Sequence, residues 1–316
     1  MSTVDPSSCK VALLAGGRSG EREISLLSAE GAKAALQEAG FEVVQLDPAV
    51  RDDLKALIDG DFDVAFLCTH GRYGEDGSLQ GFLELIDLPY TCPGVLASAM
   101  AMDKDKAKLV YRNADIPTPV SVTLVEGDGY DLDAIISVTG ERTIVKAANE
   151  GSTIGIFKAH GREELQEAIE NAFSFDAEVL VERFIEGREY TVAVIGNDDA
   201  RPLPVIEIIP ASGFYDYEAK YAPGGSRHVC PAEISDEAAQ EIQRLALRAH
   251  KALGCVGVSR TDFIMDEQGG CFALETNTIP GMTKTSLLPE TARVSGMPFS
   301  ELCTYLIECA FKAKKL

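Results

Sequence analysis

Two short segments near the C-terminus concentrate groups able to hold a metal ion. Arg260-Thr-Asp262 and Glu275-Thr-Asn277 fall on two predicted strands, with Asp266-Glu-Gln-Gly-Gly270 as the turn between them. Side chains alternate along a strand, so Glu275 and Asn277, two apart, share one face, and Asp262 can join them across the hairpin. Two carboxylates and an amide are hard oxygen ligands, the set Mg²⁺ takes when substrate phosphates complete its shell. The same spacing also fits a charged, solvated hairpin face. Lys146 closes another predicted strand, residues 143–146, just before the small-residue loop Asn149-Glu-Gly-Ser-Thr-Ile-Gly155. A cation beside backbone N–H groups can cradle phosphates; a glycine hairpin with a surface lysine is the plainer reading. Glu182-Arg-Phe-Ile-Glu186-Gly-Arg-Glu189 joins two strands. Such a connector can show backbone groups to adenine and a carboxylate to ribose, or be an exposed charged turn. His70 opens a glycine-rich loop after a strand, where a histidine is more often functional than elsewhere. In Thr278-Ile-Pro-Gly281-Met-Thr283-Lys-Thr-Ser286, Gly281 lets backbone approach a ligand and Ser286 can cap the apolar run that starts at Leu287. A plain turn and cap explains that segment equally.

These groups need elements to position them. The apolar run 11–15 ends at Gly16-Gly17 and suits a buried parallel strand. A predicted helix over 24–38 closes at Gly40; strands over 41–46 and 64–68 and a helix over 79–86 follow. Strands alternating with helices imply a doubly wound parallel sheet, whose ligands bind beyond the carboxyl ends of its strands. Loops 16–22 and 70–77 lie there. Pro117 and Pro119 punctuate a boundary, and the pattern becomes α+β: strands at 120–124, 143–146, 154–157, 179–183 and 191–194, with a helix over 163–172. The last third holds strands at 204–209, 259–265 and 271–276 and helices over 236–253 and 299–310. The connection 210–226 lacks periodicity but carries Phe214, Tyr215, Tyr217 and Tyr221, which predicts an ordered lid.

Composition narrows the partners. The formal net charge of −21 disfavours nucleic acid and anionic membrane surfaces, both of which need cations. No P-loop, dinucleotide fingerprint, zincin or nucleophile-elbow motif occurs. The eight cysteines form no C-x-x-C pair. The first ten residues hold no apolar stretch of signal-peptide length, and no window of 18 apolar residues exists. The expectation is a soluble, reduced, cytoplasmic protein without nucleic-acid or membrane partners.

Taken together, the motifs make the chain resemble the D-alanine–D-alanine ligases of the ATP-grasp superfamily, from about residue 10 to residue 310. The pieces that carry the resemblance are Gly16-Gly-Arg-Ser-Gly-Glu-Arg-Glu-Ile-Ser25, the loop 70–77, Met102-Asp-Lys104, Glu150-Gly-Ser-Thr153, Phe214-Tyr-Asp-Tyr-Glu-Ala-Lys-Tyr221, Gly257-Val-Ser-Arg-Thr-Asp262 and Glu275-Thr-Asn-Thr-Ile-Pro-Gly-Met-Thr283. The resemblance implies an ATP-grasp fold, α/β and α+β, with an N-terminal Rossmann-like domain over 1–103, a central subdomain over 104–196 and a catalytic domain over 197–316 with the lid at about 210–226. It implies that ATP phosphorylates one D-alanine, that the amine of a second attacks the acyl phosphate, and that the dipeptide serves as a cell-wall precursor.

By motif match, Asp262, Glu275 and Asn277 hold two Mg²⁺ (or Mn²⁺). Lys104, Lys146 and Lys220 contact ATP phosphates, and Glu182, Ile185 and Glu189 hold adenine and ribose. Glu21 takes the first D-alanine's ammonium and His70 lies beside its carboxylate. Arg260 and the Gly281 N–H stabilise the tetrahedral oxyanion. Ser286 and Leu287 grip the second D-alanine, and Ser152 and Tyr221 join Glu21 in a set that shuts the lid. Tyr221 favours D-alanine as acceptor, since the D-lactate branch has histidine in that lid. His228 either reaches the pocket or is a plain loop histidine. Ala147, where the family often has proline, and Thr91-Cys-Pro-Gly94 depart from the pattern only in loop geometry. The family suggests a homodimer. A D-lactate or D-serine acceptor and a non-catalytic ATP-binding module are the competing readings.

Overall fold

The computed structural model describes residues 4–151, 155–211, 225–283 and 285–314. Its strands form three sheets. The first is parallel: β1 (Lys10–Leu14) lies between β2 (Glu42–Leu46) and β3 (Val64–Leu67). Helices α1 (Arg22–Glu38), α2 (Arg51–Asp59), α3 (Ser78–Leu85), α4 (Val95–Met102) and α5 (Lys104–Asn113) follow in turn. The second sheet is antiparallel, in the order β4 (Ser121–Val125), β7 (Glu178–Arg183), β5 (Arg142–Ala147), β6 (Ile156–His160), and is backed by α6 (Leu132–Thr139) and α7 (Gly161–Phe173). The third runs β11 (Ser226–Val229), β10 (Ile206–Pro210), β8 (Gly187–Ile195), β12 (Val258–Asp266), β13 (Cys271–Asn277), with β9 (Arg201–Pro202) on the flank of β8. Helices α8 (Asp236–Ala252), α9 (Leu287–Val294) and α10 (Phe299–Lys314) complete it.

Each sheet has its own apolar core. Val11, Ala12, Leu13 and Leu14 are fully buried, as a central parallel strand covered on both faces must be. That core also takes Leu302, Leu306 and Ile307 from α10, so the C-terminal helix closes back on the N-terminal sheet. Truncating Leu13 to alanine there would cost about 2–5 kcal/mol. Helix α8 shows how local sequence sets an element. The Ser235 hydroxyl accepts from the Ala238 N–H, Asp236 and Glu237 occupy the first turn and His250 and Lys251 the last, in keeping with the helix dipole. Gly254, at φ +74°, ends the segment. Ile242, Leu245 and Ala249 bury one face against β8 and β12.

The expected middle segment, 104–196, contributes to two sheets. Only residues 121–183 build the second sheet. Helix α5 puts Ala107 and Tyr111 into the core of the third sheet, and β8 is that sheet's central strand. The reason is pairing: all nine residues of β8 run in register with β12. Helices α2, α4, α5 and α6 were not anticipated. They are 8–10 residues long, and α4 (VLASAMAM) has no polar face to reveal a period. Among the described residues no helix is long and apolar enough to cross a membrane.

Candidate active site

The β12–β13 hairpin builds the centre. Asp262 pairs with Glu275 and Arg260 with Asn277, so all four project from one face. The ladder shifts register between Asp262 and Phe263, leaving Leu274 as an extra residue in β13. Arg260 donates to both oxygens of Asp262, from Nε at 3.0 Å and from its terminal nitrogen at 2.9 Å. Asn277 Nδ2 donates to Asp262 Oδ2 at 3.1 Å. On the opposite face Thr261 and Thr276 hydroxyls meet at 2.9 Å, and Tyr111 OH lies 2.7 Å from Thr276 Oγ1. Tyr111 comes from α5, so that helix is bolted behind the acidic strand.

Helix α5 carries Lys104, Lys108 and Tyr111 at spacings of four and three, which is one helical face. Asp103 caps it by accepting from the Lys106 N–H at 3.0 Å. The Lys104 ammonium donates to the Glu150 carbonyl. Beneath it, Glu182 sits between two lysines: Lys108 Nζ is 2.8 Å from Oε1 and Lys146 Nζ 2.6 Å from Oε2. The two ammonium groups hold the Glu182 carboxyl below its ordinary value against the cost of burial.

Glu21 ends the first loop and is buried although charged. A Cβ on Gly71 or on Gly151 would stand 2.6 Å from Glu21 Oε2, so both glycines are there to let backbone close on the carboxylate. Gly71 also needs its φ of +69°. His70 Nε2 lies 3.2 Å from the Ser28 hydroxyl. Burial and nearby Arg260 push its pKa down to about 4, so it is neutral at physiological pH. Glu75 is the residue that motif reasoning passed over. Its carboxylate accepts from the Gly71 N–H at 2.7 Å and the Ile279 N–H at 3.3 Å, joining the loop 70–77 to the segment after β13. Burial first, and then the charge of Glu21, raise its pKa to about 8. The signal was its place in a glycine-rich loop at a strand's carboxyl end. A cleft of about 880 Å³ opens among Glu21, His70, Glu75, Lys104, Arg260, Glu275, Asn277, Gly281, Ser286 and Leu287.

Comparison with known proteins accounts for this arrangement. The D-ala D-ala ligase C-terminus family model matches residues 110–308, and the D-ala D-ala ligase N-terminus model matches residues 50–93. A D-alanine–D-alanine ligase of Desulfotalea psychrophila is 47% identical over 309 residues, 97% of this chain and 96% of its own. The chain belongs to the D-alanine–D-alanine ligase family. A second ligase of that name, from Halalkalibacterium halodurans, is 46% identical over 96% of this chain and 99% of its own. The crystal structure of the D-alanine–D-alanine ligase from Bacillus anthracis superposes with a TM-score of 0.86 at 31% identity, covering 98% of this chain and 99% of that one. A structure of that ligase complexed with ATP gives the same TM-score at 29% identity.

Of the residues matched to D-alanine–D-alanine ligase motifs, nine line the one cleft: Glu21, His70, Lys104, Arg260, Glu275, Asn277, Gly281, Ser286 and Leu287. Asp262 stands beside them through its bonds to Arg260 and Asn277. Ser152, Lys220 and Tyr221, and most of the predicted lid, lie outside the described residues. Lys146 and Glu182 are joined to each other in the second sheet, and Ile185 follows in the connector to Glu189 on β8. Each Glu182 oxygen stands at ion-pair distance from a lysine, which holds the carboxylate beside Lys146. Ser286 occupies the N-cap position of α9 but does not cap it. Its hydroxyl turns back to accept from the Thr283 N–H at 3.0 Å, and a Cβ on Gly281 would stand 2.8 Å from it. His228 does reach the cleft and is held there, Nδ1 at 2.9 Å from Glu290 Oε2.

Proposed function

We propose that this chain joins two D-alanine molecules at the expense of ATP, releasing ADP, phosphate and D-alanyl-D-alanine for peptidoglycan synthesis. The observation that carries the reading is the cleft into which carboxylate, imidazole, ammonium and guanidinium groups converge from the first and third sheets, helix α5 and the loop after β5. Glu21 receives the ammonium of the first D-alanine, and neutral His70 sits by its carboxylate without a competing charge. One carboxylate oxygen attacks the γ-phosphorus as the bond to the β–γ bridging oxygen breaks, and ADP leaves. Lys104 and Lys146 hold the phosphates for this in-line transfer, which depends on positioning and charge more than on covalent help. The deprotonated amine of the second D-alanine, gripped by Ser286 and Leu287, then attacks the acyl carbon. Arg260 and the Gly281 N–H donate to the oxyanion; the carbonyl reforms, phosphate leaves and the amine sheds its second proton.

The donor set Asp262, Glu275 and Asn277 fits Mg²⁺ (or Mn²⁺). Two carboxylates and an amide oxygen share one face, and all are hard oxygen donors. Two such ions would neutralise phosphate charge when bound. Domains over 1–103, 104–196 and 197–316, a homodimer and a cytoplasmic location accompany this reading.

One assay separates it from its rivals. With ATP and Mg²⁺, phosphate should be released when D-alanine alone is added, and not with L-alanine. Release only after adding D-lactate or D-serine would move the chain to another acceptor. Release with no amino acid combination would leave an ATP-binding module.

A further inference from the structure

Lys108 is fully buried, Glu182 is 3% exposed, and only Lys146 keeps an edge open at 10%. Taking charges out of water is costly, and apolar side chains in place of a whole buried ion-pair group are often as stable or more so. Lys108 is nonetheless fixed at three points. Besides Glu182, it donates to Thr118 Oγ1 at 2.6 Å and to the Pro119 carbonyl at 3.0 Å, and Thr118 in turn donates to the Ala273 carbonyl on β13. Burial lowers its pKa and Glu182 opposes that shift. The charges are what matter. Lys108, Glu182 and Lys146 together carry one net positive charge; without Lys108 the remaining pair is neutral, and its open member would face phosphate with its charge cancelled at 2.6 Å.

We infer that Lys108 is a positioning residue for nucleotide binding: by sharing the Glu182 carboxylate, it leaves the Lys146 ammonium electrostatically free for a triphosphate. This rests on Lys146 being a phosphate contact. Lys104 and Lys108, one turn apart on α5, thereby divide the work, Lys104 lining the cleft and Lys108 acting through Lys146 from beneath.

The test is steady-state phosphate release with the full chain, ATP varied at saturating D-alanine and then the reverse. Lys108→Met should raise KM for ATP about 10- to 100-fold, the loss of one charge-assisted contact, with KM for D-alanine changed less than threefold. Lys108→Arg keeps a positive charge beside Glu182 and should hold KM for ATP within about threefold of the starting protein. A merely structural role would raise both KM values together in Lys108→Met, or would make Lys108→Arg as poor as Lys108→Met; either result overturns the inference. Should Lys108→Met fail to fold, Lys108→Gln takes its place, and a KM for ATP within about threefold of the starting protein in that variant is the contrary result. Lys146→Met runs beside them. If it leaves KM for ATP unchanged, the phosphate contact itself is wrong; if it raises KM while Lys108→Met does not, only the role of Lys108 is.

Discussion

Asp262 and Glu275 face each other across the β12–β13 ladder at the residue where its register shifts. The pair puts two carboxylates side by side in a site built for polyanions, an arrangement that makes sense when cations lie between them and phosphate. Glu275→Gln keeps the shape and removes a charge. We expect kcat to fall about 10³-fold, the scale of losing metal-borne charge stabilisation, with the urea unfolding midpoint unchanged. Activity within tenfold of the starting protein would remove Glu275 from the metal site.

Glu21 has almost no room. Gly151→Ala would set a methyl group 2.6 Å from its Oε2. The carboxylate must move, and a displaced ammonium anchor should raise KM for D-alanine about 10- to 100-fold while KM for ATP stays put. Titrating each substrate in turn reads the split, and equal shifts in both would show general damage to the loop.

Tyr111 reaches Thr276, the residue between Glu275 and Asn277. Tyr111→Phe removes the hydroxyl from a buried pair and should cost about 1–2 kcal/mol of stability, read as a lower urea midpoint at constant m-value. A midpoint equal to that of the unaltered chain would mean that the contact to Thr261 alone satisfies Thr276.

Glu75 and His70 predict opposite pH trends. The Glu75 pKa is raised from 4.5 to about 8, so the folded chain binds more protons than the unfolded one in that window and its contribution is lost as pH climbs through it. His70 is depressed from 6.5 to about 4; the unfolded chain binds the extra proton there, and stability is lost as pH falls through that range. Glu75→Gln should remove the loss that runs from about pH 4.5 to 8, so that stability falls more steeply on acidification through the His70 range. Ammonium of D-alanine arriving beside Glu21 should also expel the Glu75 proton. Calorimetry in two buffers of different ionisation enthalpy would detect that release, and the release should vanish in Glu75→Gln.

What could be read from the sequence follows from how local each signal is. The hairpin was legible because strand alternation fixes which side chains share a face, and its turn is held by Asp266, whose Oδ1 accepts from the N–H groups of Gln268 and Gly270. The N-terminal strands were legible because continuous apolar runs leave few alternatives. Lys108 was not. Nothing in the stretch Lys104-Asp-Lys-Ala-Lys108 tells which lysine meets a buried carboxylate, because that is decided by Glu182 and Thr118 on other elements. The place of β8 was missed for the same reason: its partner β12 lies more than sixty residues away, as Val258 opposite Ile195 shows. Glu75 needed three dimensions too, since Ile279 meets it from the far side of the cleft.

Beyond β10, Ala211 donates its N–H to the Gly225 carbonyl at 2.9 Å, and Pro210 pairs with Ser226. The chain thus leaves and rejoins the sheet edge at a single closed gate of hydrogen bonds. Closure cost grows only slowly with the length of what is enclosed. Another family member's stretch spliced between these two residues should therefore leave unchanged the register that carries the β12–β13 hairpin.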